Sequence, residues 1–355
     1  MTQLSAEVSG HWLDALATAL EARGGPLPAL EALRVAGDES RVVAATVRTG
    51  LQKRLPLSTA LVEAGMLSPN EGLALARAGA GQRPEGDHAQ IADGPPHKAV
   101  VALLRVIARR RQLVGRRRMT ILIGAAGPLA MIWVSAMATA LPALVLGGGG
   151  GAPWLLPLAC TGLVVAATRL LLPQGQSPRK LERMMMRLPV IEPMLTRPDE
   201  QGLILDVLGA LTSARLDVER TLSVLEALCP EGANHDWVKR AIDHAAENLG
   251  TAPGALMEVA PGDEVISLVL VAGEVRSDGG RALSKHGVAC MERTTQRGRM
   301  GTRWALYGVV IYLFFGGLST VTSTFTQRYD NMLKLPNIDA GQLRQLEGLF
   351  NQLQP

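Results

Sequence analysis

MTILIGAAGPLAMIWVSAMATALPALVLGGGGGAPWLLPLACTGLVVAAT, residues 119–168, is fifty residues long and contains no Asp, Glu, Lys, Arg or His. Arg118 closes a basic run on one side and Arg169 stands directly after the other. As one helix at ~1.5 Å per residue the stretch would be roughly 75 Å long, more than twice a bilayer core of about 30 Å. One crossing cannot use it up. Five glycines, Gly147 to Gly151, sit near its middle and are followed by Ala152 and Pro153. In a helix interior each glycine costs about 1 kcal/mol and a proline about 3, so the chain turns there. The reading is a transmembrane hairpin over 119–172: out through 119–141, back through 154–172, with its Gly-rich turn at 147–153.

A third uncharged segment, Trp304–Phe325, is also long enough to span. Basic residues orient all three. Seven arginines (105, 109, 110, 111, 116, 117 and 118) precede the first span, and none lies in the turn between the first and second. Arg169, Arg179, Lys180, Arg183 and Arg187 follow the second, while Arg293, Arg297, Arg299 and Arg303 lead into the third. The positive-inside rule then puts residues 1–118 and 173–303 in the cytoplasm and the tail 326–355 outside. Arg116, Arg117, Arg118, Arg299 and Arg303 are the basic residues flanking the membrane. The run 105–118 suits anionic lipid at ~1 kcal/mol per cation; with no aromatic residue interleaved it is not read as a nucleic-acid surface.

The cytoplasmic parts read as helical bundles. Leu13, Leu16, Ala17 and Leu20 share one helical face, and Gly24-Gly25-Pro26 ends that helix. Ser68-Pro69-Asn70-Glu71 has the form of a capping box, and Asp217 that of an N-cap before Leu222, Leu225 and Leu228. Val265–Ala272 is nearly all apolar and could be a buried strand or a buried helix; its neighbours favour helix. No stretch alternates with period two for long enough to argue a sheet. Residues 80–98, rich in Gly and Pro, read as an exposed loop. The opening residues Met1–Glu7 lack a basic n-region and an apolar h-region, so no cleavable signal peptide is expected. Of the three cysteines, Cys160 falls in the second span, and Cys229 and Cys290 fall in the cytoplasm, where thiols stay reduced.

Laying one half on the other exposes a repeat. Leu13-Asp14-Ala15-Leu16 matches Leu205-Asp206-Val207-Leu208 at an offset of 192, and Ala22-Arg23, Leu30 and Leu33 match Ala214-Arg215, Leu222 and Leu225 at the same offset. With small gaps Ala60-Leu61 meets Ala255-Leu256, Ala78-Gly79 meets Ala272-Gly273, Gly86 meets Gly280, and Arg118-Met119 meets Arg299-Met300. The expected fold is an all-α integral membrane protein with two repeated cytoplasmic helical bundles and three transmembrane helices.

This arrangement, with Ala272-Gly273-Glu274 and Asp278-Gly279-Gly280-Arg281-Ala282-Leu283, resembles the type II secretion system F family of inner-membrane platform proteins. The resemblance spans residues 11 to 325. Its signature residues here are Gly273, Glu274, Gly279 and Gly280, structural or partner-facing; the first copy has Ala80 in place of the glutamate. The resemblance implies a multi-pass platform in the bacterial inner membrane with a periplasmic C-terminus. It also implies partners: a hexameric assembly ATPase of a type IV pilus or type II secretion system, pilins or pseudopilins, other inner-membrane assembly proteins, and further copies of the chain.

Motifs for chemistry are missing from the sequence. It contains no G-x-x-x-x-G-K-[ST], H-E-x-x-H, G-x-S-x-G or C-x-x-C. His235, Asp236, Asp243 and His244 come nearest to a ligand set, but the histidines are nine positions apart, which does not stack them on one helix face. No catalytic, cofactor-binding or metal residue is therefore expected, and the chain reads as a non-enzyme. Uncharged spans also disfavour ion transport. The competing reading is a membrane-anchored receptor or scaffold with cytoplasmic helical domains.

Overall fold

The computed structural model describes residues 6–33, 38–79, 98–145, 157–162, 164–165, 197–229, 233–247, 250–260, 264–275 and 278–333. Among these no strand occurs, and the protein is all-α. The pentaglycine turn, the loop 80–97 and the tail from residue 334 lie outside them.

The helices come in two parallel series. The first comprises α1 (Ala6–Arg23), α2 (Pro26–Leu33), α3 (Asp38–Gln52), α4 (Leu57–Glu63), α5 (Pro69–Gly79) and the long α6 (Lys98–Val145). The second comprises α7 (Arg197–Ser213), α8 (Val218–Leu228), α9 (Ala233–Glu247), α10 (Ala252–Glu258), α11 (Glu264–Val275) and the long α12 (Gly279–Leu333). Lengths run 18, 8, 15, 7, 11 and 48 residues in the first. In the second they run 17, 11, 15, 7, 12 and 55.

Local chemistry sets the breaks. Ser68 and Glu71 make the reciprocal capping box at the start of α5: Ser68 N donates to Glu71 Oε2 at 2.7 Å and Glu71 N to Ser68 Oγ at 3.2 Å. Asp217 caps α8 by accepting from Arg220 N at 2.8 Å. Gly65, at φ 73°, closes α4, with Met66 N donating back to Leu61 O at 2.8 Å. The apolar run at 265–272 is helical: Ile266, Leu270 and Gly273 are buried at helical spacing, which a two-residue period would not produce.

Two compact units result. The described residues up to Ala125, with those from Gly162 to Thr302, form the larger. One apolar cluster runs through it, joining Leu13, Leu16, Leu20 and Leu61 of the first series to Leu205, Leu208, Leu225 and Trp237 of the second, all fully buried. Burying each such leucine is worth about 1.5–3 kcal/mol. Trp237 also donates its indole N–H to Leu256 O at 2.9 Å, so its polar edge is satisfied inside the core. Helix α5 lies against α8. Glycines allow two further close approaches. A Cβ on Gly10 of α1 would come within 2.8 Å of Ala108 O of α6, and one on Gly202 of α7 within 2.7 Å of Gly287 O of α12. Gly10 and Gly202 are 192 residues apart.

The smaller unit holds residues 126–161 and those from Arg303 onward. Within it Trp133 Nε1 donates to Thr161 Oγ1 at 3.2 Å. These two residues stand fourteen positions before and fourteen after Gly147. Ile132 and Ala136 are buried, whereas Met131, Val134, Met137, Leu158, Ile311, Tyr312 and Phe315 are exposed. Among the described residues one helical stretch, Lys98–Met137, is long and apolar enough to cross a membrane. Of the expected return span, 157–162 and 164–165 are described, and they are helical; Trp304–Phe325 falls inside α12.

Candidate functional site: the arginines of α6 and the glycine crossing of α7 and α12

Helix α6 carries its seven arginines without an acid between them, so their counter-charges must come from elsewhere in the chain. Four of them find one. Arg105 pairs with Glu21 of α1. Arg109 Nη1 donates to Asp206 Oδ1 of α7 at 2.8 Å and to Ser284 Oγ of α12 at 3.2 Å. Arg111 Nη2 donates to Glu71 Oε2 at 2.6 Å, tying α6 to the capping box of α5. Arg117 donates to Asp199 Oδ1 at 2.5 Å, to Thr295 Oγ1 at 2.9 Å and to Met291 O at 3.2 Å. A fifth bridge comes from α5, where Arg77 donates to Glu226 at 2.9 Å and to Ser223 O at 2.6 Å.

Burial ranks these contacts. Arg105 and Glu21 are both substantially exposed, where an ion pair contributes at most about 1 kcal/mol. Arg111–Glu71 and Arg117–Asp199 are only 11–15% exposed and share several donors, which makes them positional locks. Asp206 is wholly buried. Burial pushes its carboxyl above the ordinary aspartate range, against the opposing charge of Arg109 and the hydrogen bonds from Ser284 and Arg109. Ser284 donates its hydroxyl proton to the same Oδ1, while Oδ2 has no hydrogen-bond partner.

The basic residues expected beside the membrane are therefore not equivalent. Arg116 is exposed, but Arg117 is turned inward to Asp199; the side chain of Arg118 lies outside the described residues. Arg299 is exposed, with its Cγ 2.9 Å from where a Cβ on Gly124 would stand. Arg303 stands 5.5 Å over the Tyr307 ring, a cation–π contact.

The four signature residues cluster around the start of α12. A Cβ on Gly273 would sit 2.6 Å from the Leu283 side chain, and one on Gly279 would collide with the carbonyl of Gly273. A Cβ on Gly280 would be 2.7 Å from Gly209 O. Helices α7 and α12 thus cross antiparallel on glycine, 209 against 280 and 202 against 287. Glu274 Oε1 accepts the hydroxyl of Thr251 at 2.9 Å, and Thr251 in turn caps α10 by accepting from Gly254 N at 3.1 Å. In the first series Pro56 stands at the N-cap of α4 without a side-chain bond, and Ala80 replaces the glutamate. Cap and supporting carboxylate are missing there together. Glu274→Ala should cost about 0.5–1 kcal/mol by removing an exposed hydrogen bond. Thr251→Val should cost about 1 kcal/mol through the lost cap. A double-mutant cycle by chemical denaturation should show the two losses overlapping; full additivity would mean that Glu274 does not act on the cap.

His235 Nδ1 lies 2.8 Å from Cys229 O, while Asp236 and Asp243 point to solvent. Among the described residues no group of three His, Cys, Asp or Glu side chains converges on one point. Burial pushes the Cys229 thiol up to about 12, reinforced by Glu200 and opposed by Arg110, so it stays protonated at neutral pH.

Sequence reasoning identified the arginines but not their acids. Asp199 and Asp206 lie 82 and 97 residues from their partners, and no local spacing connects such pairs. The matched Leu-Asp pairs were a signal with a misleading half: Asp206 is buried, whereas its counterpart Asp14 is exposed.

No family model and no curated protein sequence matches this chain.

Proposed function

We propose that the protein is a multi-pass membrane platform of the type II secretion system F kind. It would couple a cytoplasmic assembly ATPase to the insertion of pilins into a type IV pilus or secretion pseudopilus. One observation carries the reading: two helix series of matching order and length, each ending in a helix that runs on into an uncharged segment. Glycines at the same offset of 192 allow the close approaches α1–α6 and α7–α12, which supports a duplicated helical bundle. The exposed apolar side chains Met131, Val134, Met137, Leu158, Trp304, Ile311, Tyr312 and Phe315 support spans facing lipid, since exposed apolar surface of this kind marks an interaction site. The bond between Trp133 and Thr161 fits a hairpin turning at the pentaglycine. In this reading the N-terminus is cytoplasmic and the C-terminus periplasmic.

Deleting the gene should abolish surface fibres or secreted product while the assembly ATPase is still made, and the full-length chain should co-purify with that ATPase from detergent-solubilised membranes. A receptor or scaffold would behave differently. Its loss would leave fibres and secretion at wild-type levels, and that result would sink the platform reading.

A further inference from the structure

The larger unit contains a cleft of about 750 Å³ bounded by α6, α7 and α12, and from its lining we infer a binding site for a multiply charged phosphate ligand. Arg105 and Arg109 line one wall and Arg281 and Lys285 another, against a single lining carboxylate, Glu292. Each pair is spaced i,i+4 on its helix, where like charges repel one another. On the α6 side that repulsion is relieved: Arg105 has Glu21, and Arg109 has Asp206. On the α12 side it is not. Neither the Arg281 nor the Lys285 side chain makes a hydrogen bond or ion pair among the described residues, and both residues are exposed.

The geometry suits an anion between the walls. Gly209, Ala210 and Gly280 keep the floor low, because α7 and α12 cross there on glycine. The first turn of α12, which lines the same cleft, adds the positive end of a helix dipole. Ser213 and Ser284 already give their protons to Gly209 O and Asp206, so recognition falls to the cations. Arg109 holds Asp206 and Ser284 through Nη1 alone among the described residues, and a guanidinium has five N–H donors in all. The volume lies within the range of small-molecule sites. No aromatic side chain lines the cleft, so it offers no stacking platform for a nucleobase. Polyphosphate chemistry fits better than base recognition. A lipid headgroup is the other possible source of phosphate. However, Arg109 precedes the uncharged stretch by ten residues, about 15 Å along a helix, which favours a soluble ligand.

The test uses the full chain in neutral detergent at 150 mM salt. Calorimetric titration with pyrophosphate and tripolyphosphate should show binding, and either ligand should raise the melting midpoint. Arg281→Ala with Lys285→Ala removes two exposed side chains that have no partner among the described residues; it should leave the unliganded midpoint unchanged and weaken binding at least tenfold. A second arm titrates soluble short-chain phosphatidylglycerol. Binding of that lipid alone, lost in the double variant, would keep the site but assign the phosphate to a headgroup. No binding of any of the three at millimolar concentration, equal competition by sulfate, or unchanged affinity in the double variant would each overturn the proposal. A failure here leaves the platform reading standing, since fibre output in the deletion strain tests that separately.

Discussion

Gly209→Ala is expected to destabilise the larger unit by about 3 kcal/mol or more, the upper part of the range for overpacking a tight interior. The reason is what the new methyl group would meet. It would collide with Gly280 O and lie 2.5 Å from Ser284 N, both backbone atoms of α12 that no rotamer change can move aside. The helices would have to separate. For a unit of this size each kcal/mol shifts the midpoint by about 2–4 °C, so a fall of roughly 6–12 °C should be seen by circular dichroism. Gly301→Ala supplies the control in the same helix. Nothing lies within 4 Å of its Cβ position, and helix propensity alone should make it neutral or stabilising by up to about 1 kcal/mol. Equal midpoints for the two variants would mean that α7 and α12 do not cross on glycine.

Arg109→Ala should be the next most damaging change, at about 2–4 kcal/mol. Removing one member of a fully buried ion pair costs about 3–5 kcal/mol. The expectation here is lower because Arg109 is 40% exposed, and water can enter the place it leaves. Asp206→Asn by contrast should cost under about 1 kcal/mol, because burial already disfavours the charged carboxylate. The double variant should recover most of the arginine loss, a coupling that separates the pair from unrelated damage. The pH dependence follows from the same shift. A carboxyl whose pKa is higher folded than unfolded binds its proton more tightly in the fold. Its contribution to stability is therefore full below the ordinary aspartate value and is lost as pH rises through the raised folded value. Relative to Asp206→Asn, the wild-type chain should thus gain stability on acidification across that window and lose it on return to neutral pH. Denaturant midpoints measured across the acid range check the sign; a gap that narrows on acidification would contradict it.

Much of the helix inventory was legible because its signals are local. Ser68 and Glu71 are three residues apart, Asp217 and Arg220 likewise, and both caps occur as read. The face formed by Leu13, Leu16, Ala17 and Leu20 is buried as its spacing required. At 265–272 periodicity could not choose between strand and helix, because a short run that is apolar on every side has no period to read. The inward-turned arginines were illegible for a different reason. A basic run beside an uncharged stretch looks the same whether its charges face lipid headgroups or distant carboxylates. Arg117 and Arg116 are adjacent in sequence, yet one is locked to Asp199 and the other meets solvent. Only the path of the chain through 199 and 206 distinguishes them. The Glu274–Thr251 bond shows an intermediate case: the helix terminus was readable, while the cap it supports lies 23 residues back.

The single apolar cluster shared by the two helix series bears on the order of events during synthesis. Helices α1 to α5 leave the ribosome first, but α8, which lies against α5, ends 149 residues after Gly79. At about 5–20 residues per second, some 7–30 s pass before that partner exists. Throughout the interval Ala74, Leu75 and Ala78, all buried in the finished protein, lack part of their cover. The uncharged fifty residues are made within the same interval. The nascent chain therefore carries its uncharged, apolar middle while its first half is still incomplete. Slowing translation downstream of residue 168 should lengthen the period in which the N-terminal half is open to proteases and chaperones.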